Sequence, residues 1–287
     1  MIAYIQTLRP KHWFKNLFIF APAFFALQLD NADIFFVHLV VFFLFSLLTG
    51  AIYTFNDLID KPVDIYDSSK QNRPVINGKL DSKNAWIYFS LLSVNVLGIC
   101  FFYNADLVIF FLFYFLLNIL YTLKLKHILI VDVITIGLGF LVRLFIGAEI
   151  INLMPSLWII SITFLSALFF GFSKRYVELL NTQPGTIKNK AVLEKYSVWA
   201  IKSANYVIII LITLVYIFYS VADSIVARFQ TTNLIYTSLF VIAGFGRYVF
   251  LIFHKNVRRT PVELIFSDGL ILLLLAAWAV TFYLIVI

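Results

Sequence analysis

The sequence predicts an all-α polytopic membrane protein, a bundle of nine transmembrane helices, from its composition, its hydropathy and the length of its apolar runs. Of its 287 residues 62% are hydrophobic and 13% charged, about half the charge of a soluble domain. Mean hydropathy is +0.95, so folding in water would leave wet much apolar surface that a bilayer solvates. The apolar runs approach the roughly 20 residues that a helix needs to cross the hydrocarbon core, and polar segments separate them. A soluble globular fold, disorder, a coiled coil and a secreted disulfide scaffold are excluded together. The single cysteine, Cys100, lies inside an apolar run and reads as packing.

Taken in order, the spans read 16–29, 34–56, 84–103, 106–123, 128–148, 156–174, 202–222, 232–252 and 264–286. The first is short and holds Pro22, so a kinked span beginning near Trp13 is its other reading. The segment before it, RPKHWFKN, is amphipathic and aromatic, as an interfacial anchor is. Basic residues there follow a short apolar stretch, the reverse of a signal peptide, so no cleavable signal is expected. Gaps between spans alternate between short ones and longer, basic ones, the longest at about 57–83 and 175–201. Every lysine and arginine except Arg143 and Arg228 falls on one side. By the positive-inside rule that side and the N-terminus are cytoplasmic, and nine crossings put the C-terminus outside. Cations recruited for a phosphate ligand would inflate this bias without reversing it. The net charge of +7 is thus loop bias, and no nucleic-acid partner is expected. With no repeat or soluble insert, residues 1–287 read as one helical domain.

The second span runs directly into Asn56-Asp57-Leu58-Ile59-Asp60-Lys61-Pro62-Val63-Asp64. Asn56, Asp60 and Asp64 stack on one helical face, with Asp57 at i−3 from Asp60. Like charges so placed repel and call for a cation. Oxygen-only ligands suit a hard ion, Mg2+ above others, which commonly enters with substrate phosphates. Solvation of a polar helix end is the plainer alternative. Pro62 ends or kinks most helices, so Asp64 is expected from a bent turn. Lys70 and Arg73 follow closely, and a basic pair beside a Mg2+ site suits a diphosphate, since arginine grips phosphate oxygens bidentately.

The stretch NDLIDKPVDIYDSSKQNRP between the second and third of nine spans resembles the UbiA superfamily of intramembrane prenyltransferases, whose first signature is NDxxDxxxD. RPKHWFKN, YTLKLKHILIVDVITIGLGFLVR, GFSKRYVEL and RTPVELIFSDGL narrow the resemblance to the branch that includes decaprenyl-phosphate phosphoribosyltransferase. The resemblance implies transfer of phosphoribose from phosphoribosyl diphosphate (PRPP) to a polyprenyl phosphate with Mg2+, Asp57, Asp60 and Asp64 being the catalytic carboxylates. It also brings in Lys15 and Asn16 as ligands of the lipid phosphate. Aromatic prenyltransferases of the superfamily carry a second aspartate-rich motif after the sixth span. Here that loop reads GFSKRYVELLNTQPG, with Glu178 its only acid, so a second metal cage is not expected.

Tyr121 and Lys124 at the end of span four, and Lys174 and Arg175 at the end of span six, are candidates for an anionic head group, because partial desolvation strengthens each charge. Lys126 and His127 rank below them, and snorkelling is the plainer reading of all. Asp132 at the start of span five needs a partner, for which ribose hydroxyls, Lys124 or Mg2+ serve. Glu178 lies i+3 from Arg175 and orients it. Arg143 reads as structural, with Glu149 its expected partner, and Asp268 as paired with Arg247, Arg258 or Arg259. The nearest rival function alkylates an aromatic or haem-like acceptor with a prenyl diphosphate. A transporter or channel would instead need polar residues through the middle of its spans.

Overall fold

A computed structural model describes residues 2–67, 70–181 and 192–287. Lys188 and Lys190, counted above toward the basic side, and parts of the expected loops 57–83 and 175–201 lie outside the described residues. Every regular element described is helical. Among the described residues eight helical runs, seven α-helices and the run Asn233–His254, are long and apolar enough to cross a membrane, and their outward side chains are those lipid would solvate, such as Phe36, Phe102 and Leu284. Two compact units divide the chain, Met1–Pro155 and Ser156–Ile287.

The first unit holds α1 (Ile2–Thr7), a 3-10 segment (Pro10–Phe20), α2 (Ala21–Phe25), α3 (Ala32–Asp64), α4 (Ser82–Tyr103), α5 (Ala105–Leu123) and α6 (Val131–Ile150). Side-chain caps set three of the starts: Asn31, Asp81 and Asn104 each accept a backbone N–H from the first turn of α3, α4 and α5. Pro62 does not bend Asp64 away. It sits inside α3, whose last turn closes with Ile65 N–H donating to Lys61 O at 3.2 Å, so the acids share one continuous helix. Pro62 has no N–H and so costs α3 one backbone bond, but the turn after it still closes. The core packs α3 against α4, α5 and α6 through Phe45, Leu48, Phe111 and Ile146.

In place of the expected span 16–29 stands the 11-residue 3-10 segment followed by the five-residue α2. A 3-10 helix rises about 2.0 Å per residue against about 1.5 Å for an α-helix. Placed end to end, the two pieces reach roughly 30 Å, the thickness of the hydrocarbon core. The segment lies directly on α6: a Cβ at Gly147 would stand 1.8 Å from the Ile19 carbonyl oxygen and 3.0 Å from Pro22. Arg143 ties the same two elements. Its Nε donates to Asn16 Oδ1 at 2.9 Å, and its other nitrogens donate to Gly139 O at 2.6 Å and Tyr114 OH at 3.0 Å. Glu149, the expected partner, makes no ion pair with it among the described residues. Six helical positions is one and two-thirds turns, which puts the two side chains on different faces.

The second unit holds α7 (Leu157–Asn181), α8 (Val198–Val221), α9 (Asp223–Phe229), α10 (Ser238–Val249), α11 (Pro261–Ser267) and α12 (Gly269–Val286). Its core gathers Phe169, Tyr176, Ile201, Ile212, Tyr248 and Ile252. The expected span 264–286 is broken at Asp268, which caps α12 by accepting from Ile271 N–H at 3.0 Å and pairs with Arg247 at 2.9 Å. Arg247 is thus the partner among the three expected. Its hydrogen bond chiefly holds the Asp268 carboxyl below the usual carboxylate range.

Gly147→Ala should therefore lower the thermal unfolding midpoint in detergent, by about 1–3 kcal/mol of stability, the usual effect of overpacking. An unchanged midpoint would show that the 3-10 segment yields. Because the folded value of Asp268 is depressed, its contribution is fully present above the ordinary pKa of about 3.9 and lost as pH falls through the folded value. Asp268→Asn, which keeps the capping oxygen, should flatten that acid-side loss in a melting series from about pH 7 to pH 3.

Candidate functional site

The last turns of α3 carry four oxygen-bearing side chains toward the rest of the first unit. Asp57 is 1% and Asp64 2% exposed, so both are carboxylates almost out of water, and each is met by cations. Arg73 lies nine residues past Asp64, on a chain of turns in which Lys70 N–H donates to Asp67 O and Arg73 N–H to Lys70 O. This returns its guanidinium to α3, where one nitrogen donates to both Asp57 Oδ1 and Asp64 Oδ2, each at 2.9 Å. Lys70 bonds Asp64 Oδ1 and lies 3.8 Å from Asp67. Lys126, on the turn after α5, bonds Asp60, and Asn56 accepts from Thr122 at 3.3 Å.

Arg9 completes the cluster. Its Nη2 donates to Asp57 Oδ1 at 2.5 Å, and its guanidinium lies 4.6 Å over the Tyr53 ring. Its backbone has φ 50° and ψ 61°, a left-handed conformation uncommon for a residue other than glycine. Two guanidinium groups thus converge on a single oxygen, while Asp57 Oδ2 is buried with no hydrogen-bond partner. Burying such an oxygen unpaired costs about 1–3 kcal/mol. Among the described residues no group of three or more Asp, Glu, His or Cys side chains is gathered as a metal cage; the acids are held by cations instead. The oxygen donors and the orphan Oδ2 nonetheless fit a hard divalent ion.

Of the residues read from sequence, Asn56, Asp57, Asp60, Asp64, Lys70 and Arg73 are brought together. Lys124 ends α5 exposed, and it is Lys126, ranked below it, that reaches the acids. Tyr121 is half-buried in the last turn of α5. Asp132 is fully buried in the first turn of α6, just after Ile130 at φ 70°. Lys15 is half-buried on the 3-10 segment. Asn16 beside it is 1% exposed and bonds Ser46, Thr49 and Arg143. Lys174 and Arg175 belong to α7 of the second unit, where Glu178 holds Arg175 at 2.5 Å and lies 3.8 Å from Lys174. Sequence reading missed Arg9 as a site residue: no spacing rule links positions 48 apart, and its only signal was a basic residue ahead of Pro10.

Eight long apolar helices and a charged cluster at the end of one of them define a multi-pass integral membrane protein. The chain belongs to the UbiA prenyltransferase family, whose model matches residues 16–267, and it is a transferase of that superfamily. It is 29% identical over 214 residues to decaprenyl-phosphate phosphoribosyltransferase of Mycolicibacterium smegmatis, covering 71% of this chain and 67% of that one. To the Mycobacterium tuberculosis protein of that name it is 26% identical over 215 residues, covering 71% of each. Its fold is similar to that of a UbiA homologue from Archaeoglobus fulgidus solved with GPP and Mg2+, with TM-score 0.71 and 17% identity over 99% of both chains.

The geometry ranks the acids. Asp57→Ala leaves two guanidinium groups facing a buried gap and should cost about 3 kcal/mol or more. Asp60, whose side chain is 25% exposed with one lysine partner, should cost under about 1 kcal/mol when changed to alanine. Melting curves of both variants in detergent check the order.

Proposed function

We propose that the protein transfers 5-phosphoribose from PRPP to a polyprenyl phosphate, with Mg2+, at the cytoplasmic face of the membrane. The observation that carries this reading is the Arg73 bridge, which sets a diphosphate-type cation pair, Arg73 and Lys70, directly on the carboxylates Asp57 and Asp64. The names of the mycobacterial relatives support the donor and the acceptor. The end of α7 and the stretch after it support the same choice, because Glu178 in α7 is paired with Arg175 and Lys174, and residues 182–191 contain no Asp or Glu.

In this mechanism Asp57, Asp60, Asp64 and Asn56 hold the divalent ion, which supplies charge neutralisation for the departing diphosphate. Arg73 and Lys70 bind diphosphate oxygens, and Lys124 and Lys126 bind phosphate beside them. We place Tyr121 at the sugar and Lys15 at the lipid phosphate; Asp132 and Asn16, expected beside them from the sequence, are buried, and Asn16 bonds Ser46, Thr49 and Arg143. The phosphate monoester oxygen attacks the anomeric carbon as its bond to diphosphate breaks. That nucleophile is already anionic near pH 7, so no side chain has to remove a proton, and catalysis rests on positioning and on electrostatics. The acceptor presents its head from the bilayer while PRPP arrives from water, which favours a site at the interface. The basic loops favour the cytoplasmic side, with the N-terminus inside and the C-terminus outside.

A second reading, transfer of a prenyl group from a prenyl diphosphate to an aromatic acceptor, is favoured by the likeness of the fold to the GPP-bound Archaeoglobus fulgidus structure. The two separate in one assay. Purified protein in detergent with Mg2+, PRPP and radiolabelled polyprenyl monophosphate should yield a more polar lipid on thin-layer chromatography. Chelation of the metal should abolish it, and Asp60→Asn should slow it by about a hundredfold or more. No product there, with consumption of a prenyl diphosphate when aromatic acceptors are supplied, would replace the first reading by the second.

A further inference from the structure

We propose that Arg9 is an internal counter-ion standing on Asp57 where the divalent ion belongs, and that a diphosphate draws it off, so that metal and diphosphate enter the site only together. The inference rests on the reading of the cluster as a metal and diphosphate site, but not on which diphosphate the donor carries.

The first observation is the uneven loading of Asp57. Arg9 and Arg73 both donate to Oδ1, at 2.5 and 2.9 Å, while Oδ2 of the same buried carboxylate has no partner. One guanidinium suffices for Oδ1, and Arg73 is already fixed there by its second bond, to Asp64. Arg9 is therefore the cation in excess and the one whose departure leaves no carboxylate unpaired.

Charge gives the second argument. The carboxylates of Asp57, Asp60, Asp64 and Asp67 meet Arg9, Lys70, Arg73 and Lys126, four acids against four cations. A bare divalent ion entering that set would meet two cations at Asp57, two at Asp64 and one at Asp60, in a place where two of the acids are almost fully buried. A diphosphate entering with the metal supplies the oxygens to which the displaced cations transfer, since guanidinium binds phosphate bidentately.

The third observation concerns what can move. The backbone at Arg9 is held left-handed, although it precedes Pro10, a position that favours extended conformations. Its neighbours fix it: the Leu8 Cα lies 2.9 Å from where a Cβ on Gly50 would stand, and Trp13 Nε1 donates to Leu8 O at 3.0 Å. A strained conformation that its surroundings impose is a common mark of a functional position. The side chain alone is left to swing, and the Tyr53 ring beneath it offers a cation–π seat during the exchange.

The test is Mn2+ binding followed by electron paramagnetic resonance on full-length protein in detergent, with and without inorganic diphosphate. Wild-type protein should bind Mn2+ weakly alone and about 5- to 150-fold more tightly with diphosphate, the usual span of coupled ligands. Arg9→Gln should bind bare Mn2+ more tightly than wild type and lose most of the coupling, a gain that structural damage does not produce. Arg9→Lys, which keeps the charge, should keep the coupling. Equal Mn2+ affinity in wild type and Arg9→Gln would overturn the proposal, as would wild-type protein that binds bare Mn2+ as tightly as it does with diphosphate. In that second case the metal site stands and only the role of Arg9 fails. Wild-type protein that binds Mn2+ under neither condition would overturn both this inference and the site reading beneath it.

Discussion

A carboxylate buried at the end of an apolar helix must be matched by positive charge, and the first unit is organised around meeting that demand at Asp57. The side chain is 1% exposed, where an unmatched charge would cost several kcal/mol. Two guanidinium groups supply the match, one from each direction along the chain. Arg73 returns through the turns after α3, and Arg9 reaches in from ahead of the 3-10 segment. The path of the chain between Asp64 and Pro74 and the left-handed bend at Arg9 both serve the delivery of those charges.

The same segment is anchored by packing of a different kind. Gly147 lets the Ile19 carbonyl lie against α6 at a distance no side chain would permit, and Arg143 fastens Asn16 a turn away. Arg143 is 5% exposed and has no carboxylate partner among the described residues, but its nitrogens reach three oxygens, and the rings of Phe45, Tyr114 and Phe140 lie about it at 5.1, 4.9 and 5.4 Å. Arginine suits such a place better than lysine, because its charge is spread over a plane that aromatic faces accommodate. Steric fit at Gly147 and hydrogen bonding at Arg143 together hold the N-terminal segment in reach of α3.

Charge pairing in the cluster also bears on chemistry. Phosphoryl and diphosphate groups are bound best by cations that are positioned beforehand, because reorganisation is then avoided at the moment of reaction. Here Lys70, Arg73 and Lys126 are positioned by the very carboxylates that suit a metal ion. An acid cluster and a basic cluster therefore occupy one place without either being exposed alone to the apolar surroundings.

How much of this was legible beforehand depends on the range of the interaction. Four of the long helices, α4, α5, α6 and α8, were read to within four residues of their observed bounds, because apolar length and local caps are properties of contiguous sequence, whereas α3 and α7 run on past the expected spans into polar residues. The α3 acids were legible for the same reason, since helical spacing fixes which side chains share a face. The last span was read too long, since Asp268 caps α12 instead of lying inside it. Pro62 misled because the backbone bond it removes is a single one, and the turn after it closes without that bond. The Arg9–Asp57 pair, the Lys126–Asp60 pair and the Asn16–Arg143 bond were not legible, as their partners stand 48, 66 and 127 positions apart. The sequence by itself determined a helical membrane protein of the UbiA type, with acids and bases gathered around the end of α3. Only the tertiary structure decided which cation meets which carboxylate, because nothing local distinguishes one basic residue of a loop from the next until the chain has folded back on itself.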